Sequence, residues 1–237
     1  MGEWIEYAVG DKEARGYMAV PEQGRGPGVL LCHAWWGLNG FFQDIADRLA
    51  EEGFVVLAPD LYDGKTADTI EEAERLGAEL DSRYQDAINY VTAAADYLLS
   101  HPTVIGQQLG GVAFSLGAAY LTWLATLRPQ LGAIVIFYSD IYPGSVQPED
   151  YPNHTQAVFL GHFAEEDPYV SHEDTRRWEG LLSSVGREVA FYVYPGTGHW
   201  FFENDRPDAY NPEAAELAWQ RTVGFLHGKL DQPQAGK

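Results

Sequence analysis

Along this chain, short runs of consecutive apolar residues alternate with longer stretches in which apolar positions recur every three or four residues. Residues 29–32, 54–58, 109–114, 133–138 and 157–160 are of the first kind and read as strands buried on both faces. Residues 42–52, 69–80, 84–99, 116–126, 172–185 and 212–227 are of the second kind and read as helices. Gly53 stops the first of these, and His101-Pro102 ends the third. Residues 188–194 form a last strand. Two further strands, 4–9 and 16–20, are joined by the polar turn Gly10-Asp11-Lys12 and predict an antiparallel edge. The glycine-rich segment 24–28 and the proline-bearing segment 141–153 read as loops, as does 161–167. Strands that alternate with helices predict an α/β fold, a mostly parallel sheet covered by helices on both faces. No repeat, low-complexity tract or linker divides the pattern, so residues 1–237 read as one domain with a polar tail, frayed from Asp231.

Composition narrows the partners. Hydrophobic residues make up 46% of the chain, enough for a large core and against disorder. The formal charge of −20 argues against nucleic acid and anionic membrane surfaces. No long apolar run precedes Gly10, so neither a signal peptide nor a membrane span is expected. Cys32 is the single cysteine, which excludes an intrachain disulfide and fits a reducing, cytoplasmic compartment. Neither Cys-x-x-Cys nor His-Glu-x-x-His occurs, so no metal and no cofactor is called for.

The candidate chemistry centres on Ala113-Phe114-Ser115-Leu116-Gly117. Apolar strand residues lead into Ser115, and small residues and helix formers follow it. This layout resembles the nucleophile elbow of α/β-hydrolases, Gly-x-Ser-x-Gly, with Ala113 in place of the first glycine. A serine at such a corner is expected in a strained backbone conformation; the alternative is a serine that merely caps a helix. Ser115, Asp167 and His199 each follow a predicted strand, at the end where sheets of this kind bind ligands.

A serine hydroxyl needs a base, and His199 in Gly196-Thr197-Gly198-His199 is the candidate. The imidazole needs an acid to hold its tautomer. Asp167 is the first choice, with Glu165, Glu166 and Asp140 as rivals. The order Ser, Asp, His is that of the α/β-hydrolases. Backbone N–H groups of Leu116 and Trp35 are placed to hold an oxyanion. His33, Trp36, Phe41, Trp200 and Phe201 lie near these residues in sequence and either fill the core or line a pocket. Cys32, inside an apolar run without a base, is a poor nucleophile.

Together, residues 33–39, Ala58-Pro59-Asp60-Leu61-Tyr62, the Ser115 corner, Glu166-Asp167-Pro168 and Gly198-His199-Trp200-Phe201-Phe202 resemble the dienelactone hydrolases, over about Pro27 to Leu226. The resemblance implies an α/β-hydrolase fold, no cofactor, and hydrolysis of a small ester or lactone through an acyl-enzyme on Ser115. The same residues would serve a broader carboxylesterase or thioesterase, or a binding protein that has lost the chemistry. Founding members carry cysteine at the elbow and a glutamate matching Ala34. They also carry a substrate-binding arginine matching Glu203; Arg75 and Arg83 lie where a second such arginine falls. A Glu203 facing the pocket would repel carboxylate substrates, unless Arg206 compensates.

Overall fold

The computed structural model describes residues 1–231; most of the tail expected to fray lies outside them. The elements are β1 (Glu3–Val9), β2 (Lys12–Ala19), β3 (Gly26–Cys32), α1 (Gly40–Glu51), β4 (Val55–Pro59), α2 (Ile70–Asp81), α3 (Tyr84–Ser100) and β5 (Val104–Phe114). After these come α4 (Leu116–Leu127), β6 (Leu131–Phe137), α5 (Tyr151–His154), β7 (Val158–Glu166), α6 (His172–Ser184), β8 (Val189–Gly198) and α7 (Pro212–Leu230). The eight strands form one sheet in the order β1-β2-β4-β3-β5-β6-β7-β8. β1 and β2 pair antiparallel, as does β2 with β4, and from β4 through β8 every pairing is parallel. The predicted α/β architecture with an antiparallel edge is the one found.

The apolar runs are the buried strands. Every residue of β3 and β4 is buried, and so is the second half of β5. Burial of each such Val, Leu or Ile side chain contributes about 1.5–3 kcal/mol. Helices start where polar side chains cap them. Asn39 accepts from the Phe42 N–H to start α1, Thr69 and Glu72 form a reciprocal capping box on α2, and Ser171 and Asn211 cap α6 and α7.

The structure departs from the sequence pattern mainly at strand ends. β5 starts at Val104 through a polar stretch, and β3 starts at Gly26 within the expected loop. β7 runs on through Gly161–Glu166, which reads as loop, and β8 runs on through Pro195–Gly198. The β7 extension pairs with the end of the expected last strand, Ala164 with Tyr194, and the two extensions pair with each other at Glu166 and Gly198. The short α5 interrupts the proline-bearing loop.

The topology prepares one place for a ligand. From β3 the chain moves to β4 on one side, then returns past β3 to β5 on the other. A crevice opens at the carboxyl ends of strands at such a reversal. The loop after β3 and the β5–α4 corner both border it.

Candidate active site

Ser115 is the hinge between β5 and α4, with φ 45° and ψ −118°. A non-glycine residue held there costs about 1–3 kcal/mol, supplied by the surrounding structure. Two contacts enforce it. The Ser115 N–H donates to the Phe137 carbonyl at 3.0 Å. Behind it, α4 packs so closely on the β3 exit that a Cβ on Gly117 would lie 2.5 Å from the His33 carbonyl oxygen. This is the physical reason for the small residue two positions after the serine. The serine does not cap α4 through its side chain.

Strand register brings the other two groups together. Glu166 and Gly198 are partners on β7 and β8, and Asp167 and His199 are the next residue on each. His199 Nδ1 lies 2.7 Å from Asp167 Oδ2, and His199 Nε2 lies 3.0 Å from Ser115 Oγ. An ionised carboxylate only accepts, so Nδ1 carries the proton and Nε2 faces the serine hydroxyl as an acceptor. Asp167 is itself held, because Oδ1 accepts from the N–H groups of Tyr169 at 2.9 Å and Val170 at 3.2 Å. Both side chains of the pair are 3% exposed. The imidazole lies between the rings of Tyr138 and Tyr169, at 4.7 and 4.8 Å between centroids. Asp140, the rival acid, is not bonded to His199; burial first, then Asp174 and Asp167, push its carboxyl up to about 6.

Leu116 is the first residue of α4, so its N–H has no partner within the helix and points toward the crevice end. Leu116 and Trp35 line a cavity of about 240 Å³ with Ser115, His199, Tyr120 and Tyr169. A larger cleft of about 700 Å³ meets His199 from the other side, against Trp36, Trp200, Arg206 and Tyr210. Ser115 does not line it; the smaller cavity is the one bordered by both Ser115 and His199. Trp36 and Trp200, expected near the nucleophile, line the larger cleft instead.

Three expected pocket residues lie elsewhere. His33 is fully buried and ties two loops together: its Nδ1 lies 2.6 Å from the Ala34 carbonyl, and its Nε2 accepts from the Leu61 N–H at 3.2 Å. Phe201 is fully buried, with its ring 5.0 Å from Tyr194 and 5.7 Å from Tyr138. Glu203 does not face the pocket. The turn after His199, closed by N–H bonds from Phe201 to Gly198 and from Glu203 to Trp200, rolls its side chain inward. There its Oε1 accepts from the Tyr138 hydroxyl at 2.6 Å, and burial raises the carboxyl to about 8. The repulsion of substrate carboxylates expected from Glu203 therefore has no support. Arg206 is spread over the Trp36 ring at 3.6 Å, Arg75 pairs with Glu79, and Arg83 pairs with Asp63. Cys32 is fully buried, with its thiol pushed up to about 12, in keeping with an inert thiol.

Tyr169, Ala119, Tyr120 and Asp81 line the cavity and were not singled out from sequence. Ala119 and Tyr120 lie three and four residues after Leu116 on α4, a spacing that could have disclosed them. Tyr169 and Asp81 reach the cavity from other elements and carry no local signal. Among the described residues, no three His, Cys, Asp or Glu side chains converge to hold a metal, and no helix is long and apolar enough to cross a membrane.

A parallel sheet of this order, with a strained serine after β5, an acid after β7 and a histidine after β8, defines an α/β-hydrolase. The chain belongs to the dienelactone hydrolase family, whose model matches residues 14–230. It is 33% identical over 231 residues to "Protein usf" of Aquifex pyrophilus, covering 95% of this chain and 98% of that one. It is 29% identical, with the same coverage, to an Aquifex aeolicus protein provisionally named carboxymethylenebutenolidase. Among solved structures, "m3DLH" superposes with a TM-score of 0.85 at 26% identity, covering 97% of this chain and 98% of that one. The family, fold and hydrolase class expected from the sequence are thus those found.

Proposed function

We propose that this hydrolase cleaves a small ester or lactone with Ser115 as nucleophile, His199 as general base and acid, and Asp167 as the group that orients His199. The observation that carries the reading is the unbroken relay of 3.0 Å from Ser115 Oγ to His199 Nε2 and 2.7 Å from His199 Nδ1 to Asp167. Ser115 Oγ attacks the carbonyl carbon while its proton passes to Nε2. The oxyanion is held by the Leu116 and Trp35 N–H groups, each worth about 2.7–4 kcal/mol in the transition state. Collapse breaks the carbon–oxygen bond, and the leaving oxygen takes the proton from Nε2. In a lactone that oxygen stays tethered to the acyl-enzyme. Water then attacks, His199 takes its proton, and the acid leaves as Ser115 regains the hydrogen. No step calls for a cofactor. We read residues 1–237 as one such domain acting in the cytoplasm.

The test is steady-state hydrolysis of a panel of esters and lactones by wild type and Ser115→Ala. The reading expects turnover of at least one member of the panel, and a loss in kcat of about 10⁶-fold in the variant. A Ser115→Ala protein that keeps most of its activity would refute it.

A further inference from the structure

The cavity beside Ser115 does not end at the nucleophile. A second cavity of about 370 Å³, lined by Tyr84, Trp123 and Tyr142, continues from it. Asp81, Ala119 and Tyr120 border both, so the two form one trough. Its floor is one face of α4, since Leu116, Ala119, Tyr120 and Trp123 follow helical spacing. From Leu116 to Trp123 that face rises about 10 Å, the length of a phenyl ring on a short chain.

The far end is built rather than incidental. Trp123 stacks on Tyr84 at 5.4 Å and 20° between planes, and lies 6.2 Å from Tyr142. The Tyr142 N–H donates to Thr122 Oγ1 at 2.9 Å, and that hydroxyl donates to the Ala118 carbonyl at 2.7 Å. The loop beyond Tyr142 presses its backbone on the indole: a Cβ on Gly144, at φ 61°, would lie 2.3 Å from the Trp123 ring. Yet Tyr84 and Tyr142 are about half exposed, at 49% and 50%, and keep aromatic surface free in the trough.

The charge in the trough has one sign. Apart from His199, Asp81 is its only ionisable acid or base among the described lining residues, tyrosines aside. The nearby Arg83 does not line the trough and is engaged elsewhere, with its guanidinium 3.1 Å from Asp63 and donating to the Leu61 carbonyl at 3.2 Å. A substrate arm with a carboxylate would meet Asp81 and no Lys or Arg among the lining residues.

We propose that this trough binds the remote arm of the substrate, that the arm is aromatic and carries no negative charge, and that Asp81 is the residue rejecting anionic arms. The proposal rests on Ser115 being the nucleophile. It supplies from Asp81 the charge discrimination that Glu203, buried on Tyr138, does not provide.

The experiment compares kcat/KM for an acetate ester, a neutral arylalkyl ester and its para-carboxylate counterpart, with the arm on the acyl side in one series and on the alcohol side in another. In at least one series, wild type should prefer the neutral arylalkyl ester to the short one. Trp123→Ala should lower that preference about tenfold, as loss of a large aromatic contact predicts. Tyr84→Ala, at an exposed position, should lower it in the same direction and serves should the Trp123 variant fold poorly. The carboxylate counterpart should be the slower substrate in wild type, and Asp81→Asn should narrow that gap by about fivefold at low salt. A preference unchanged in both aromatic variants, a gap unchanged by Asp81→Asn, or a wild type that favours the carboxylate arm would overturn the proposal. Ser115→Ala on the acetate ester separates the two readings, because turnover surviving there refutes the nucleophile and not the trough.

Discussion

Asp167 and Glu203 both have buried side chains on the two sides of one cluster: Asp167 bonds His199, and Glu203 bonds Tyr138, whose ring packs on that imidazole; the structure treats the two carboxyls in opposite ways. Asp167 receives three hydrogen bonds, from the Tyr169 and Val170 N–H groups and from His199 Nδ1. Glu203 receives one, from the Tyr138 hydroxyl, and its Oε2 has no partner. Hydrogen bonds to the charged form favour it, and desolvation without them disfavours it. Glu203 accordingly rises from the ordinary 4.5 to about 8, chiefly by burial, and is mostly protonated at neutral pH. Deep burial with a single donor makes Glu203 a neutral part of the core, whereas three donors hold Asp167 in place against His199 Nδ1. His162, held by Tyr194 and Thr222, likewise falls to about 3, chiefly by burial, and stays neutral.

The largest way to break this comparison is to take the acceptor from His199. Asp167→Asn should lower kcat by about 10³–10⁴-fold with little change in KM, whereas Glu203→Gln should change kcat by less than about tenfold. Steady-state kinetics on both variants checks it, and equal losses would erase the distinction between the two groups.

A smaller effect concerns stability against pH. The folded-state pKa of Glu203 lies above its unfolded value, so the folded protein holds a proton that the unfolded chain has lost. Below about pH 4.5 both states are protonated and the group is neutral in its effect. As pH rises from there through about 8 the unfolded chain ionises, and stability falls by an amount on the order of a few kcal/mol. Glu203→Gln removes this dependence, so the stability gap between variant and wild type should shift in favour of the variant from pH 5 to pH 8. Urea unfolding across that range measures it, and parallel curves would show that Glu203 does not titrate as described.

The smallest effect sharpens the role of the one donor Glu203 has. Tyr138→Phe leaves the carboxyl without any partner and should cost about 1–3 kcal/mol in unfolding free energy. The same substitution at Tyr169, a half-exposed residue, should stay within about 0.5 kcal/mol.

The alternation of apolar runs and helical periodicity made the fold legible, and the chemistry of Ser115, Asp167 and His199 picked out from sequence three side chains that the structure brings together as a candidate site. Each of the three stands at the end of a strand, where local pattern and chemical role coincide. Gly117 was legible for the same reason, since only a small residue fits 2.5 Å from the His33 carbonyl. The extensions of β7 and β8 were not, because Glu165, Glu166 and the glycines there pair as strands only through register with each other. Nor was the inward roll of Glu203, which is set by turn bonds within residues 198–203 and by a tyrosine 65 positions away in sequence. Tyr138 itself, at φ 37°, joins Ser115 and Trp200 among the non-glycine residues with positive φ around the site. Such strain is imposed by packing from several elements and leaves no mark on hydrophobic pattern.

The central claim is that Ser115 is an activated nucleophile. Reaction of the folded protein with a fluorophosphonate, followed by intact mass and peptide mapping, tests it most directly. The account predicts one stoichiometric adduct, on the peptide containing Ser115, formed far more slowly in Asp167→Asn and absent from Ser115→Ala. An unlabelled wild type, or an adduct on any other residue, would contradict it.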